Sequence, residues 1–228
     1  MHQQKCVTTW VQLGCSVIGV QARGEAEFMR LHFSDIPYVV PGETEDDQPQ
    51  IQLAAATIVE TDRVGDVFKH PSLVRISAML EHAVDEPILI LNSDLELKCT
   101  REEFVNTWQA GEKELHMGIR WDYTGDHSTA VLLRYGIDAF LITPEIVANL
   151  PDIGMTMGCP GWDYWIPWQL NSLGYKLITH KEPHIFHANH NRHWSDRDTD
   201  IAMKLFQKHY NLTGKPLTAA IQQLTGRV

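Results

Sequence analysis

The stretch Pro87-Ile-Leu-Ile-Leu-Asn-Ser-Asp-Leu-Glu-Leu97 decides how this chain is read. Four consecutive aliphatic residues, Ile88 to Leu91, run directly into Asn92, Asp94 and Glu96. An apolar run of that length with β-branched content predicts a central strand covered on both faces. Polar groups at the carboxyl end of such a strand lie where open α/β sheets bind ligands. Carboxylate oxygens there suit a hard divalent cation, useful for neutralising phosphate charge or stabilising a phosphate-bearing leaving group. The same residues, Asn92, Ser93 and Asp94, also fit an ordinary turn, because Asn and Asp form turns readily.

Working outward, the apolar set Leu73, Val74, Ile76, Met79, Leu80 and Ala83 predicts a helix that feeds this strand, completing a crossover unit. Downstream, Thr100 followed by Glu103 is a capping box, opening a helix expected to reach about Gln109. Strands are expected at 115–121 and 137–142, with a turn at Thr124-Gly125-Asp126 between them. Pro144 opens a short helix. Residues 163–173 read as a helix with Pro167 near its first turn, 175–179 as a strand and 198–210 as a closing helix. At the other end, 2–13 fits an amphipathic helix closed by Gly14, followed by a strand, a short helix and a strand to Val40. An acidic surface loop is expected at 43–50, and 51–59 fits either strand or helix. This alternation predicts one α/β domain over 1–228, with a largely parallel sheet.

Length and charge narrow the function. A chain of 228 residues supports one substantial core. Nineteen Lys and Arg against twenty-nine Asp and Glu give −10, which argues against a broad electropositive face for nucleic acid. Cys6, Cys15, Cys99 and Cys159 are widely spaced, without paired metal-ligand spacing. They read as free thiols in a reducing, cytoplasmic setting, although two disulfides are also compatible with sequence. No stretch approaches transmembrane length, so a soluble chain is expected.

The candidate chemistry starts with metal ligands. His184, His187, His190 and His193 recur every three residues, and Asp94 and Glu96 offer oxygens from a distant part of the chain. A mixed imidazole and carboxylate site suits manganese or magnesium. Asp163 follows a Gly-containing loop and either caps the Trp-rich helix or accepts a proton from a hydroxyl nucleophile. Trp162, Tyr164, Trp165 and Trp168 serve equally as core or as a stacking platform. Arg75 and Arg120 are candidate phosphate contacts or simply solvent-facing. Asp138 interrupts an apolar strand and either binds substrate or anchors backbone groups. No Walker motif and no Ser-His-Asp order is present.

Taken in order, His2-Gln-Gln-Lys-Cys6 with Trp10 and Gly14, Arg75-Ile-Ser-Ala-Met-Leu80, Ile90-Leu-Asn-Ser-Asp94, Tyr135-Gly-Ile-Asp-Ala-Phe140, Gly161-Trp-Asp163 and the late His-rich segment resemble small nucleotide-sugar glycosyltransferases of the GT-A fold. The resemblance implies a GT-A-like domain, mostly parallel with helices on both faces and lacking its usual first strand. By it, Asp94 and either His187 or His190 hold the metal, and Asn92 replaces a carboxylate of the Asp-x-Asp motif. Asp163 would be the base, and Arg75, Asn92, Asp94, Asp138 and Trp162 would contact the donor. It further implies a nucleotide-sugar donor, a saccharide or other hydroxyl acceptor, and a partner chain as one way to complete the N-terminal edge. A non-catalytic carbohydrate- or nucleotide-binding relative and a nucleotidyltransferase are the alternatives.

Overall fold

The computed structural model describes residues 2–34, 36–40, 50–54, 56–182, 184–190 and 194–211. Most of the expected acidic loop, His193 and the chain's last residues lie outside these. The helices are α1 (His2–Gln12), α2 (Ala26–Phe33), α3 (Ile76–Leu80), α4 (Arg101–Thr107), α5 (Pro144–Val147), α6 (Trp162–Ser172) and α7 (Asp196–Tyr210). The strands are β1 (Ile18–Ala22), β2 (Ile36–Val40), β3 (Gln50–Ala54), β4 (Thr57–Thr61), β5 (Val64–Gly65), β6 (His70–Val74), β7 (Ile88–Leu91), β8 (Leu95–Leu97), β9 (Glu114–Tyr123), β10 (Val131–Ile142), β11 (Lys176–His180) and β12 (Ile185–Ala188).

The strand with the most partners is β9, not β7. In β9, apolar Leu115, Met117, Ile119, Trp121 and Tyr123 alternate with more polar or small residues, the period of a strand. β9 pairs antiparallel with β10 along one edge. Along its other edge the first half pairs with β11 and the second half with β12, both parallel. β8 then adds antiparallel to β12, and β7 antiparallel to β10, giving the order β7-β10-β9-β12-β8 with β11 beside β9. Smaller pairs form from β1 with β4, β2 with β3, and β5 with β6.

This topology overturns the expected GT-A-like domain. Three of the five pairings in the main sheet are antiparallel, and β7, expected at the centre, occupies an end of the sheet. β10 carries two register shifts against β9, and such bulges bend and twist a sheet, which here curls toward a near-barrel instead of lying open. The local cause is the short connection between β9 and β10, which turns through Gly125 at φ 78° and a 3-10 turn at His127–Thr129. A connection that short joins antiparallel neighbours; a parallel pair needs a crossover of a dozen residues or more. An apolar run such as Ile88–Leu91 carries no such orientation signal.

The sheet buries both faces. Along β10, Phe140 and Ile142 join the larger cluster with Trp162, Trp165 and Leu170 of α6 and Ala202, Leu205 and Phe206 of α7. The alternate residues Ala139 and Leu141 join a second cluster with Leu95, Leu97 and Ile185, against which Trp10 of α1 and Phe104 of α4 pack.

Two helix boundaries moved. Leu73 and Val74 belong to β6, because Arg75 is extended at φ −67°, ψ 146°, and its N–H donates to Arg63 O. α3 therefore begins only at Ile76. The Thr100 capping box forms as expected, with the hydroxyl accepting from Glu103 N and the Glu103 carboxylate accepting from Thr100 N. α4 then stops at Thr107 because Trp108 leaves helical geometry. Pro167 lies well inside α6, not in its first turn, so it donates nothing to the Asp163 carbonyl one turn earlier.

Candidate metal centre

The register of β12 builds the site. Lying between β9 and β8, it sets His187 opposite Asp122 on one neighbour and Leu95 on the other. Asp94 occupies the turn immediately before β8, where Leu95 N donates to Asn92 O. His190 follows the end of β12. Two segments remote in sequence, the turn at Asp94 and residues 187–190, thereby converge on one point, with Asp122 behind it.

There, His187 Nε2 and His190 Nε2 lie 3.0 Å apart, and Asp94 Oδ2 is 3.4 Å from the first and 3.1 Å from the second. Ligands held by an ion at about 2.0–2.2 Å stand roughly 3.0–3.4 Å from one another, so the triangle has the size of one face of a coordination shell. Among the described residues this is the one group of three or more His, Cys, Asp or Glu side chains so placed. Asp94 Oδ1 is also the one buried side-chain oxygen or nitrogen among them without a hydrogen-bond partner. An unsatisfied carboxylate oxygen is costly to bury, and it marks a place where a further ligand belongs. The three side chains form a cluster capable of holding a divalent metal ion.

The surroundings orient the cluster. His187 Nδ1 faces Asp122 Oδ1 at 3.2 Å, which turns Nε2 toward Asp94 and His190. A carboxylate behind a ligating imidazole is the usual means of fixing ring orientation and raising basicity. Burial disfavours the charged imidazole of His187, but Asp122 and Asp94 outweigh it and raise its pKa to about 9. Burial likewise pushes Asp94 up, and the two imidazoles more than reverse this, holding it at about 2. Metal entry must therefore displace the His187 proton.

Behind Asp122, Arg120 Nε donates to Asp122 Oδ1 at 2.8 Å and Arg120 Nη1 to Asp138 Oδ2 at 2.6 Å. Asn92 Nδ2 donates to Asp138 Oδ1 at 2.8 Å. The Arg120 stem passes over Gly136, where an added Cβ would come within 2.9 Å of Cγ and Nε. Asp138 is buried, which raises its pKa despite the nearby guanidinium. Asp163, at the start of α6, is pushed up to about 8 by burial and then by the charge of Asp138.

Glu96, also weighed as a ligand, belongs to a different arrangement. It is fully buried, accepts from Tyr123 OH and from Lys5 Nζ at 2.9 Å, and meets His127 Nε2 at 3.2 Å. Lys5 comes from α1, whose Trp10 Nε1 donates to Leu95 O and whose Gln3 donates to Ser93 Oγ. The first helix thus lies along the strand and turn that carry Asp94.

No protein-family model and no curated protein matches the chain.

Of the residues singled out from sequence, Asp94, His187 and His190 converge, and Asn92 and Asp138 join each other one layer back. Trp162 is core, edge-on to Phe140 at 5.4 Å. Arg75 is engaged by Asp66, Asp152 and Val64 O. His184 contributes its backbone carbonyl to Lys98 N. Asp122 escaped notice, although the polar stripe Glu114, His116, Arg120 and Asp122 along β9 was the signal that could have found it.

The glycosyltransferase expectation falls with the fold that implied it. Both arginines proposed for phosphate already neutralise carboxylates, Arg75 those of Asp66 and Asp152 and Arg120 those of Asp122 and Asp138. No nucleotide-sugar pocket is evident among the described residues, so donor, acceptor and the partner completing a GT-A edge lose their basis. The non-catalytic relative rested on the same scaffold, and the nucleotidyltransferase on a phosphate-binding acidic edge of the same open sheet, so both fall too. No described helix is long and apolar enough to cross a membrane.

Proposed function

We propose that the chain binds one divalent transition-metal ion through Asp94 Oδ2, His187 Nε2 and His190 Nε2, and presents it as a Lewis acid to an oxygen-bearing ligand. The observation that carries this is the ligand-sized triangle bordered by the unpartnered Asp94 Oδ1. His187 is the floor of the site, only 6% exposed, whereas Asp94 and His190 form its rim at 29% and 38%. Three protein ligands on one side leave positions for water or substrate on the other. Two imidazoles and one carboxylate suit zinc, iron(II), cobalt or manganese better than magnesium, which prefers an all-oxygen shell. The four free thiols support a reducing, cytoplasmic setting.

The test is calorimetric titration of the metal-free chain with zinc, manganese and magnesium in turn. Saturation at one zinc per chain, with manganese weaker and magnesium weakest, is expected. Magnesium binding as tightly as zinc, or no binding of any of the three, would reject the assignment.

A further inference from the structure

The two partly exposed cysteines lie on segments that run side by side. α1 lies against β8: Lys5 meets Glu96, Thr9 Oγ1 accepts from Leu97 N at 2.9 Å, and Trp10 reaches Leu95 O. Continuing both segments brings the end of α1 to the connection between β8 and α4. Gly14 confirms this, since a Cβ there would lie 3.1 Å from Cζ of Arg101. Cys15 follows Gly14, and Cys99 precedes Arg101 by two residues. Both residues pack against the same apolar cluster, and each is intermediate in exposure. Cys6 and Cys159 are buried in other surroundings.

We infer that Cys15 and Cys99 form a reversible disulfide on exposure to a peroxide. Burial raises both thiols above the ordinary cysteine range, Cys99 to about 11; the Arg101 guanidinium offsets part of this at Cys15, whereas Glu103 adds to it at Cys99, so Cys15 is the sulfur oxidised first. The Cys15 thiolate attacks one peroxide oxygen, the O–O bond breaks, and hydroxide leaves to become water, giving a sulfenic acid. The Cys99 sulfur, losing its proton, then attacks the Cys15 sulfur and expels the second oxygen as water. Two thiols are oxidised by two electrons in total and one peroxide is reduced to two waters. The bond pins the end of α1 whose beginning rests on the Ser93–Asp94 turn. It closes a long loop, which constrains the unfolded chain.

The full chain is treated with hydrogen peroxide, alkylated, digested without reductant and mapped by mass spectrometry. The expected product is one linked peptide pair joining residues 15 and 99, reversed by dithiothreitol and absent from both Cys15→Ser and Cys99→Ser. A rise in Tm of about 5–10 °C accompanies it in the unsubstituted chain. A linkage through Cys6 or Cys159, sulfenic acids trapped by dimedone on Cys15 and Cys99 without a link, or resistance of both thiols to peroxide would each overturn the inference.

Discussion

Asp94 and Glu96 are two residues apart, and they have opposite fates. Glu96 is fully buried and met by Lys5, Tyr123 and His127. Asp94 is partly exposed, faces two imidazoles through one oxygen and leaves the other buried without a partner. A carboxylate whose partners are all protein groups is finished when the chain folds. One that folds beside two imidazole nitrogens with an oxygen unmatched has the makings of a ligand. The contrast separates an anchor from a site using burial and hydrogen-bond satisfaction alone, where sequence spacing made the two residues equivalent.

Removing the anchor should have the largest effect. Glu96→Ala leaves the Tyr123 hydroxyl and two basic groups without their shared acceptor, so unfolding in urea should show a loss of about 3 kcal/mol. One zinc per chain should still bind. If Glu96→Ala instead abolished binding at unchanged stability, the roles assigned to the two carboxylates would be reversed.

Asp94→Ala should do the opposite. Zinc affinity by calorimetry should fall more than about 100-fold, while the metal-free chain loses roughly 1–2 kcal/mol, the lost pairs with His187 and His190 being offset in part because an unsatisfied buried oxygen leaves with the carboxylate. Asp122→Asn comes next. It keeps the shape behind His187 but weakens its orienting charge, and an affinity loss of roughly 10–100-fold is expected without a change in stoichiometry.

The last test is a pH trend at Asp163. Its pKa is about 8 in the folded chain against an ordinary 3.8, so the folded state holds a proton that the unfolded state releases. Stability contributed by that proton is present at low pH, declines once the unfolded carboxyl ionises near pH 4, and is lost fully as pH rises through 8. Asp163→Asn removes this trend. Thermal melts from pH 5 to pH 8 should show the variant gaining steadily on the unsubstituted chain. A parallel pair of curves would place the carboxyl in a solvated setting.

How much was legible in the sequence differs between fold and site. Local signals transferred well: Gly14 after α1, the Thr100 and Glu103 cap, and the period of β9 are all set by neighbours a few residues away. Strand orientation was misread, because Ile88–Leu91 looks the same at the centre of a parallel sheet and at the end of a mixed one. The short connection from Thr124 to Ala130 carries the correct information, since it joins antiparallel strands. In the site, Asp94, His187 and His190 were recognisable as ligand types, and their convergence agrees with that reading although the family resemblance does not survive. Asp122 and the Glu96 partners depend on β12 inserting between β8 and β9, a long-range register that no local pattern encodes.

The most direct measurement is zinc K-edge X-ray absorption on the chain loaded with one equivalent of zinc. Two imidazole nitrogens and carboxylate or water oxygens at about 2.0–2.2 Å are expected, with the imidazole pattern reduced in His187→Ala. A shell containing sulfur at about 2.3 Å would place the ion on cysteine and contradict the assignment of Asp94, His187 and His190.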